Sequence, residues 1–185
     1  MLRPPATRLA RQGALAPARR PFTKGSTMQK IAPFLWFNGQ AEEAANLYTS
    51  IFRNSRITEI QRYGEAGPGE TGSVMSVSFE LEGQAFIALN GGPAFTFSPA
   101  ISFFVHCETQ DEVDALWTKL GEDGGEPRQC GWISDRFGVT WQIVPTALGR
   151  MLRDKDAGKS KRVMQAMLKM VKLDIAALEA AYEGR

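Results

Sequence analysis

One side chain in the stretch Asp135-Arg136-Phe137-Gly138-Val139-Thr140-Trp141-Gln142-Ile143-Val144-Pro145 decides how the chemistry of this protein is read. Asp135 and Gly138 supply turn chemistry, and the β-branched and aromatic run Val139 to Val144 reads as a strand. Pro145 ends it, because proline has no N–H to donate to a ladder. Alternation puts Val139, Trp141 and Ile143 on one face, which needs a core, and Thr140, Gln142 and Val144 on the other. A carboxylate or imidazole at the Gln142 position could ligate a metal. A neutral amide contributes mainly hydrogen bonds.

The other reactive residue types are sparse. His106 is the sole histidine, which rules out a His-rich metal site. Cys107 and Cys130 lack Cys-x-x-Cys spacing, so neither a zinc ribbon nor a disulfide scaffold is expected. Cys130, near Trp132, has no histidine to activate it other than distant His106. Glu42 and Glu43 are adjacent on a helix and point apart, so they read as a solvated first turn and not an acid pair. Asn90-Gly91-Gly92-Pro93 leads into Phe95-Thr96-Phe97-Ser98-Pro99 and not into a helix, so it reads as a connector and not as a nucleotide loop.

The elements that must position these residues follow from periodicity. Strands are expected over Ile31 to Phe37, Arg56 to Tyr63, Ser73 to Leu81 and Gln84 to Asn90. A helix is expected over Ala41 to Phe52, with Ala44, Ala45, Leu47, Tyr48 and Ile51 at helical spacing. Glu82-Gly83 makes the hairpin between the third and fourth strands. The order then restarts. A strand spans Ala100 to Cys107, a helix spans Gln110 to Leu120 with Thr109 as N-cap and Glu112 at the capping-box position, and a short strand lies near Glu126 to Cys130. A shift of 69 residues matches Phe34 to Phe103, Leu47 to Leu116, Tyr48 to Trp117 and Thr49 to Thr118. A shift of 55 matches Gly83 to Gly138 and Phe86 to Trp141. The chain is therefore a duplicated βαβββ unit. Each half has one helix on a small sheet, so the halves should share a core and leave a curved cleft between them.

Charge divides the chain in three. Residues 1–27 are Arg-rich with no acid and carry +6, residues 28–145 carry −8, and residues 146–185 carry +4. The acidic centre argues against nucleic-acid binding. No apolar run reaches the ~18 residues that span a bilayer, so no membrane partner is expected. Residues 1–27 are set apart from the fold. The simpler reading makes Met28 the start of a cytoplasmic protein, and an Arg-rich, acid-free arm also has the look of a mitochondrial transit peptide. After Pro145, Ala147 to Leu152 reads as a short helix and Asp154 to Gly158 as a polar loop. Ser160 should cap a Met-rich helix, and Asp174 should start a last helix closed by Gly184. These helices are expected to pack on the sheet or across a dimer interface.

The repeat and three motifs, Ile31 to Ala44, Ala88 to Pro93 and Asp135 to Pro145, resemble the PhnB-like branch of the vicinal oxygen chelate superfamily. Its members have the glyoxalase/bleomycin-resistance/dihydroxybiphenyl dioxygenase fold and are often labelled 3-demethylubiquinone-9 3-methyltransferase. The resemblance covers residues 28–183. It implies an α+β fold of paired βαβββ modules, about 28–93 and 99–145, with a C-terminal helical extension over 146–185. Metal-binding members of the superfamily place ligands at positions that correspond here to Ile31, Ile87, Ala100 and Gln142. Three of these side chains cannot ligate, and zinc or iron needs three or four N, O or S donors. Neither a metal nor another cofactor is therefore expected. His106 lies six residues beyond Ala100, about 20 Å along an extended strand, and reads as a strand-end histidine. Family parity turns Leu35, Phe37, Ser76, Ser102, Phe104 and Gln142 toward the cleft, with Trp132 beside them. The expectation is a metal-free homodimer that binds a small apolar or aromatic ligand. The alternative is an enzyme of the same fold, either the labelled methyltransferase or a metal-dependent lyase, isomerase or dioxygenase.

Overall fold

The computed structural model describes residues 29–185. The expected arm over 1–27 lies outside them. The first module runs β1 (Phe34–Phe37), α1 (Ala41–Ile51), β2 (Arg56–Arg62), β3 (Val74–Leu81) and β4 (Gln84–Asn90). The second repeats this order as β5 (Phe103–Cys107), α2 (Gln110–Gly121), β6 (Glu126–Pro127), β7 (Trp132–Ser134) and β8 (Thr140–Pro145). Each module forms its own four-stranded sheet, in orders β1-β4-β3-β2 and β5-β8-β7-β6. In both, the first strand runs parallel to the last and the other pairings are antiparallel. The duplication is therefore one of topology as well as of residues. The two matched glycines, Gly83 at φ 82° and Gly138 at φ 85°, occupy the same left-handed position in the two closing hairpins.

Element ends follow local chemistry. β1 and β5 begin later than the apolar runs suggest. Pro33 has no N–H for a ladder, and Ser98–Ile101 is a turn in which Ile101 N donates to the Ser98 carbonyl. The N-terminus of α1 is capped from a distance, with Ala41 N donating to Asn90 Oδ1 at 2.9 Å while Asn90 Nδ2 donates to the Val74 carbonyl. On α2, Glu112 N donates to Thr109 Oγ1, and the Glu112 carboxylate reaches back to Glu108 N instead of Thr109 N.

Both sheets turn their helix-bearing faces into one core. It holds Leu35, Phe37, Tyr48, Val77, Phe79, Phe86 and Ala88 from the first module and Val113, Leu116, Leu120, Ile133, Trp141 and Ile143 from the second. Aromatic rings carry the junction. Tyr48 and Trp141 lie 5.1 Å apart, Phe52 stacks on Trp141 at 5.2 Å, and Phe86 meets Phe103 edge-on at 5.1 Å. Each such ring, fully buried, is worth about 2–3 kcal/mol in area removed from water.

At the centre of the junction sits Asp135. Its Oδ2 accepts from Tyr48 OH at 2.7 Å and from Trp141 Nε1 at 2.9 Å. Its Oδ1 accepts from the backbone N–H groups of Phe137 and Val139. Burial pushes this carboxyl above its usual range, and the four donated hydrogen bonds oppose that shift. Burial first, and then the neighbouring carboxylate, holds the Tyr48 phenol well above its ordinary value of 10. Beside them Arg136 links the modules at the surface through Glu43 at 2.9 Å and Asp123 at 2.6 Å. Glu43 thus pairs across the junction, where the sequence suggested only a solvated turn.

The C-terminal helices α3 (Thr146–Leu152), α4 (Ala157–Met167) and α5 (Ile175–Glu183) build a second, smaller core of Val144, Leu148, Met151, Val163, Leu173 and Leu178. α4 starts earlier than expected. Asp156, and not Ser160, is its cap, accepting from Gly158 N and Lys159 N. A carboxylate at the helix N-terminus satisfies two orphan donors and meets the positive end of the dipole. Asp174 caps the start of α5, accepting from Ala177 N, and left-handed Gly184 closes it, as the spacing suggests.

Asp135→Asn keeps the shape of the side chain but aims an NH2 group at two donors. We expect a loss of about 3 kcal/mol, read as a lower urea midpoint with unchanged slope. Tyr48→Phe removes one of the four donors and should cost about 2 kcal/mol at pH 7. Tyr48 also predicts an alkaline slope. Above about pH 10 the unfolded chain releases the phenol proton and the folded protein keeps it, so stability falls as pH rises. The Tyr48→Phe variant should lose that component of the slope, measured by urea unfolding between neutral and alkaline pH.

Candidate functional site

Because the helix faces are used for the core, what is left to bind is the opposite face of each sheet. Register defines these faces row by row. On the first sheet Trp36, Leu89, Ser76 and Gln61 lie side by side across four strands, and Phe34, Ile87, Ser78 and Glu59 form the next row. On the second sheet Phe104, Gln142 and Trp132 lie side by side across β5, β8 and β7. Gln142 Nε2 donates to Ser102 Oγ at 2.8 Å. The Phe104 and His106 rings meet at a tilt of 57°, with centroids 4.9 Å apart.

The expected site residues therefore split. Ser76, Ser102, Phe104, Trp132 and Gln142 occupy the outward faces. Leu35 and Phe37 do not. Both are buried in the shared core, where Phe37 packs edge-on against Phe97 and Phe137. The physical reason is parity. Leu35 pairs with Ala88, which pairs in turn with Val77, and this row is buried on the α1 side, whereas Ser76 pairs with Leu89 and faces the other way. The residues that take their place are Phe34 and Trp36, one position earlier on the same strand. Alternation in the sequence fixes only that Leu35 and Trp36 point opposite ways, and the register of β1 against β4 and β3 decides which of them joins the core.

Trp36 is held firmly. Its Nε1 donates to the Gly92 carbonyl at 2.8 Å and its ring meets Phe95 edge-on at 5.1 Å. Gly91 makes room for it, since a Cβ there would lie 2.2 Å from the indole. The Asn90–Pro93 motif thus caps α1 and seats Trp36, and the chain beyond it forms turns as far as β5.

A groove of about 810 Å³ lies between the modules and is lined by Phe52, Glu82, His106, Glu108 and Glu112 among others. A second, of about 800 Å³, is lined by Arg150, Asp154, Tyr182 and Arg185 with their neighbours. None of the seven expected site residues lines either one.

The metal positions can be tested on their chemistry. Ile87 and Gln142 lie outward on the central strands, while Ile31 and Ala100 precede β1 and β5. Three aliphatic side chains and one neutral amide do not make a coordination sphere for zinc or iron. Among the described residues, no group of three or more His, Cys, Asp or Glu is placed to hold a metal ion. Cys107 is fully buried, and burial, with Glu112 and Glu108 nearby, pushes its thiol up to about 12. Cys130 is partly exposed, and its backbone N–H is tied to the Met170 carbonyl.

Two βαβββ modules, each with its first strand parallel to its last, sharing one junction define an α+β protein of paired βαβββ modules. The family model described as 3-demethylubiquinone-9 3-methyltransferase matches residues 29–144, and the chain belongs to that family, the PhnB-like branch of the fold. A PhnB protein of Bacillus cereus is 42% identical, with TM-score 0.59, over 64% of this chain and all of that one. A Pseudomonas aeruginosa protein at 22% identity shares the fold, with TM-score 0.53, over 63% of this chain and 97% of its own. No curated protein matches the chain.

Two outcomes follow. Gly91→Ala should push the Trp36 ring off the sheet, lowering stability by about 1–3 kcal/mol and shifting tryptophan emission to the red. Iodoacetamide at pH 8 should label Cys130 in the folded protein and spare Cys107 until denaturant is added, as read by mass spectrometry.

Proposed function

We propose that this protein binds a small, flat, apolar or aromatic molecule without a metal, in the cytoplasm. The observation that carries the reading is the row Phe104–Gln142–Trp132, an amide between two aromatic side chains in register on an outward sheet face. Ser102 occupies one donor of Gln142 and orients the amide plane. Its carbonyl oxygen is then available to a phenol or N–H of the ligand, while the rings supply apolar contact. A mostly apolar surface with a few fixed polar groups is the usual lining of a small-molecule site. The donor set at the four superfamily metal positions supports the metal-free part of the reading. Two free cysteines are in keeping with a reducing compartment, and no described helix is long and apolar enough to cross a membrane.

Titration with 1-anilinonaphthalene-8-sulfonate tests this, alongside elemental analysis after incubation with zinc, iron, nickel and manganese. We expect saturable fluorescence enhancement and no stoichiometric metal. Phe104→Ala and Gln142→Ala should each weaken the probe about tenfold, the equivalent of about 1.4 kcal/mol. One tightly held metal per chain would overturn the reading. So would probe binding that both variants leave unchanged, or saturable binding of S-adenosylmethionine that both variants leave intact.

A further inference from the structure

We propose that the molecule bound at the Phe104–Gln142–Trp132 row is an anion, an aromatic ring system with an acid group, and that Arg128 takes its charge. This deepens the binding reading above and rests on it.

The outward row is one residue longer than its three defining side chains. Between β6 and β7, Glu126 pairs with Ser134 and Pro127 with Ile133. Arg128 N then donates to the Trp132 carbonyl at 2.7 Å, which carries the same register one residue past the end of β6. Residues directly opposite in an antiparallel pair share a face. Arg128 therefore follows Trp132 on the outward side, and the row reads Phe104–Gln142–Trp132–Arg128 across the whole sheet. Two strand spacings separate Gln142 from Arg128, about 10 Å. A flat ring system laid over Trp132 bridges that interval, with a polar atom at the Gln142 amide and its acid group at the guanidinium.

The guanidinium of Arg128 is also open to a ligand. Its one side-chain contact is Nη2 to Glu126 Oε2 at 3.3 Å, and both side chains are exposed. An ion pair in that setting is worth little, and it leaves most of the five-donor fork unused. Arg136 is the contrast, because Glu43 and Asp123 hold its two terminal nitrogens. Both arginines line a pocket of about 250 Å³ at this corner of the sheet, together with Glu126, Ser134 and Asp135 among others. Asp135 already accepts four hydrogen bonds, so Glu126 is the acid that competes for Arg128. Long-range attraction does not bring an anion here, since residues 28–145 carry −8. The domain can hold one only where a cation is fixed within contact. The corresponding row of the first sheet ends in neutral Gln61 and has no such cation.

The test compares two probes with one ring system. 1-Anilinonaphthalene-8-sulfonate carries an acid group and N-phenyl-1-naphthylamine does not. Both are titrated into the unsubstituted protein and into Arg128→Gln, Arg128→Lys and Glu126→Gln. Arg128 and Glu126 are exposed, so the variants should fold, and urea midpoints check this. We expect Arg128→Gln to weaken the sulfonate about tenfold and to leave the neutral probe unchanged. Arg128→Lys should retain part of the sulfonate affinity. Glu126→Gln removes the competing acid and should tighten the sulfonate alone. The proposal is overturned if Arg128→Gln leaves the sulfonate unchanged. It is also overturned if that variant weakens both probes alike, because Arg128 then acts only through its apolar stem. The two readings fail separately. If both probes bind, Phe104→Ala weakens them and Arg128→Gln changes neither, the anion seat falls and the binding site stands. If neither probe binds the unsubstituted protein, the binding reading falls and takes the seat with it.

Discussion

A single buried carboxylate holds the two modules in their relation. Asp135 accepts a phenol from α1 of the first module, an indole from β8 of the second, and two N–H groups from its own turn. All four neighbours are donors, so the site is built for an acceptor. Burial makes the charged form costly, and the four hydrogen bonds offset that cost. Such a group adds direction more than net stability. Apolar area alone would let α1 slide over Trp141, whereas hydrogen bonds of fixed geometry converging on one carboxylate would not.

That constraint decides what is inside and what is outside. With Tyr48 drawn to Asp135, the helix-bearing side of the first sheet must lie against the helix-bearing side of the second. The core then consumes Leu35 and Phe37, and the faces with Trp36, Ser76, Phe104 and Gln142 are turned outward. A cleft between the halves of one chain would have required the reverse arrangement. The same logic explains why the intermodule groove is rimmed by Glu82, Glu108 and Glu112. It is the solvated margin of the junction and meets the outward face of the second sheet only at His106.

The C-terminal helices are tied to the second module by specific contacts and not by apolar faces alone. The N–H groups of Cys130 and Gly131 donate to the Met170 and Val171 carbonyls, and Gln110 donates to the Leu173 carbonyl and accepts from Ile175 N. Gly131 is required at this contact. It is left-handed at φ 81°, and a Cβ would lie 2.8 Å from the Ile143 carbonyl and 3.0 Å from Leu173. Val144, on the same side of β8 as Gln142, is buried beneath these helices. They therefore border the outward face of the second sheet.

Local sequence determined the elements, because strand alternation, helical spacing and turn residues are short-range. It placed both helices of the repeat, the two glycine hairpins and the division of β8 into a core face and a Gln142 face. The duplication was legible because matched residues kept register with matched elements. Ser160 has the residue type of a cap, but Asp156, four residues earlier, offers the stronger acceptor. The cap of α1 is beyond local reading, because Asn90 lies 49 residues beyond Ala41. Strand parity says only that Leu35 and Trp36 point opposite ways. Which of them faces solvent depends on which side of the sheet the other module covers. Only the tertiary structure decided that, through contacts such as Tyr48 to Asp135 that span 87 residues and leave no periodic trace in the chain.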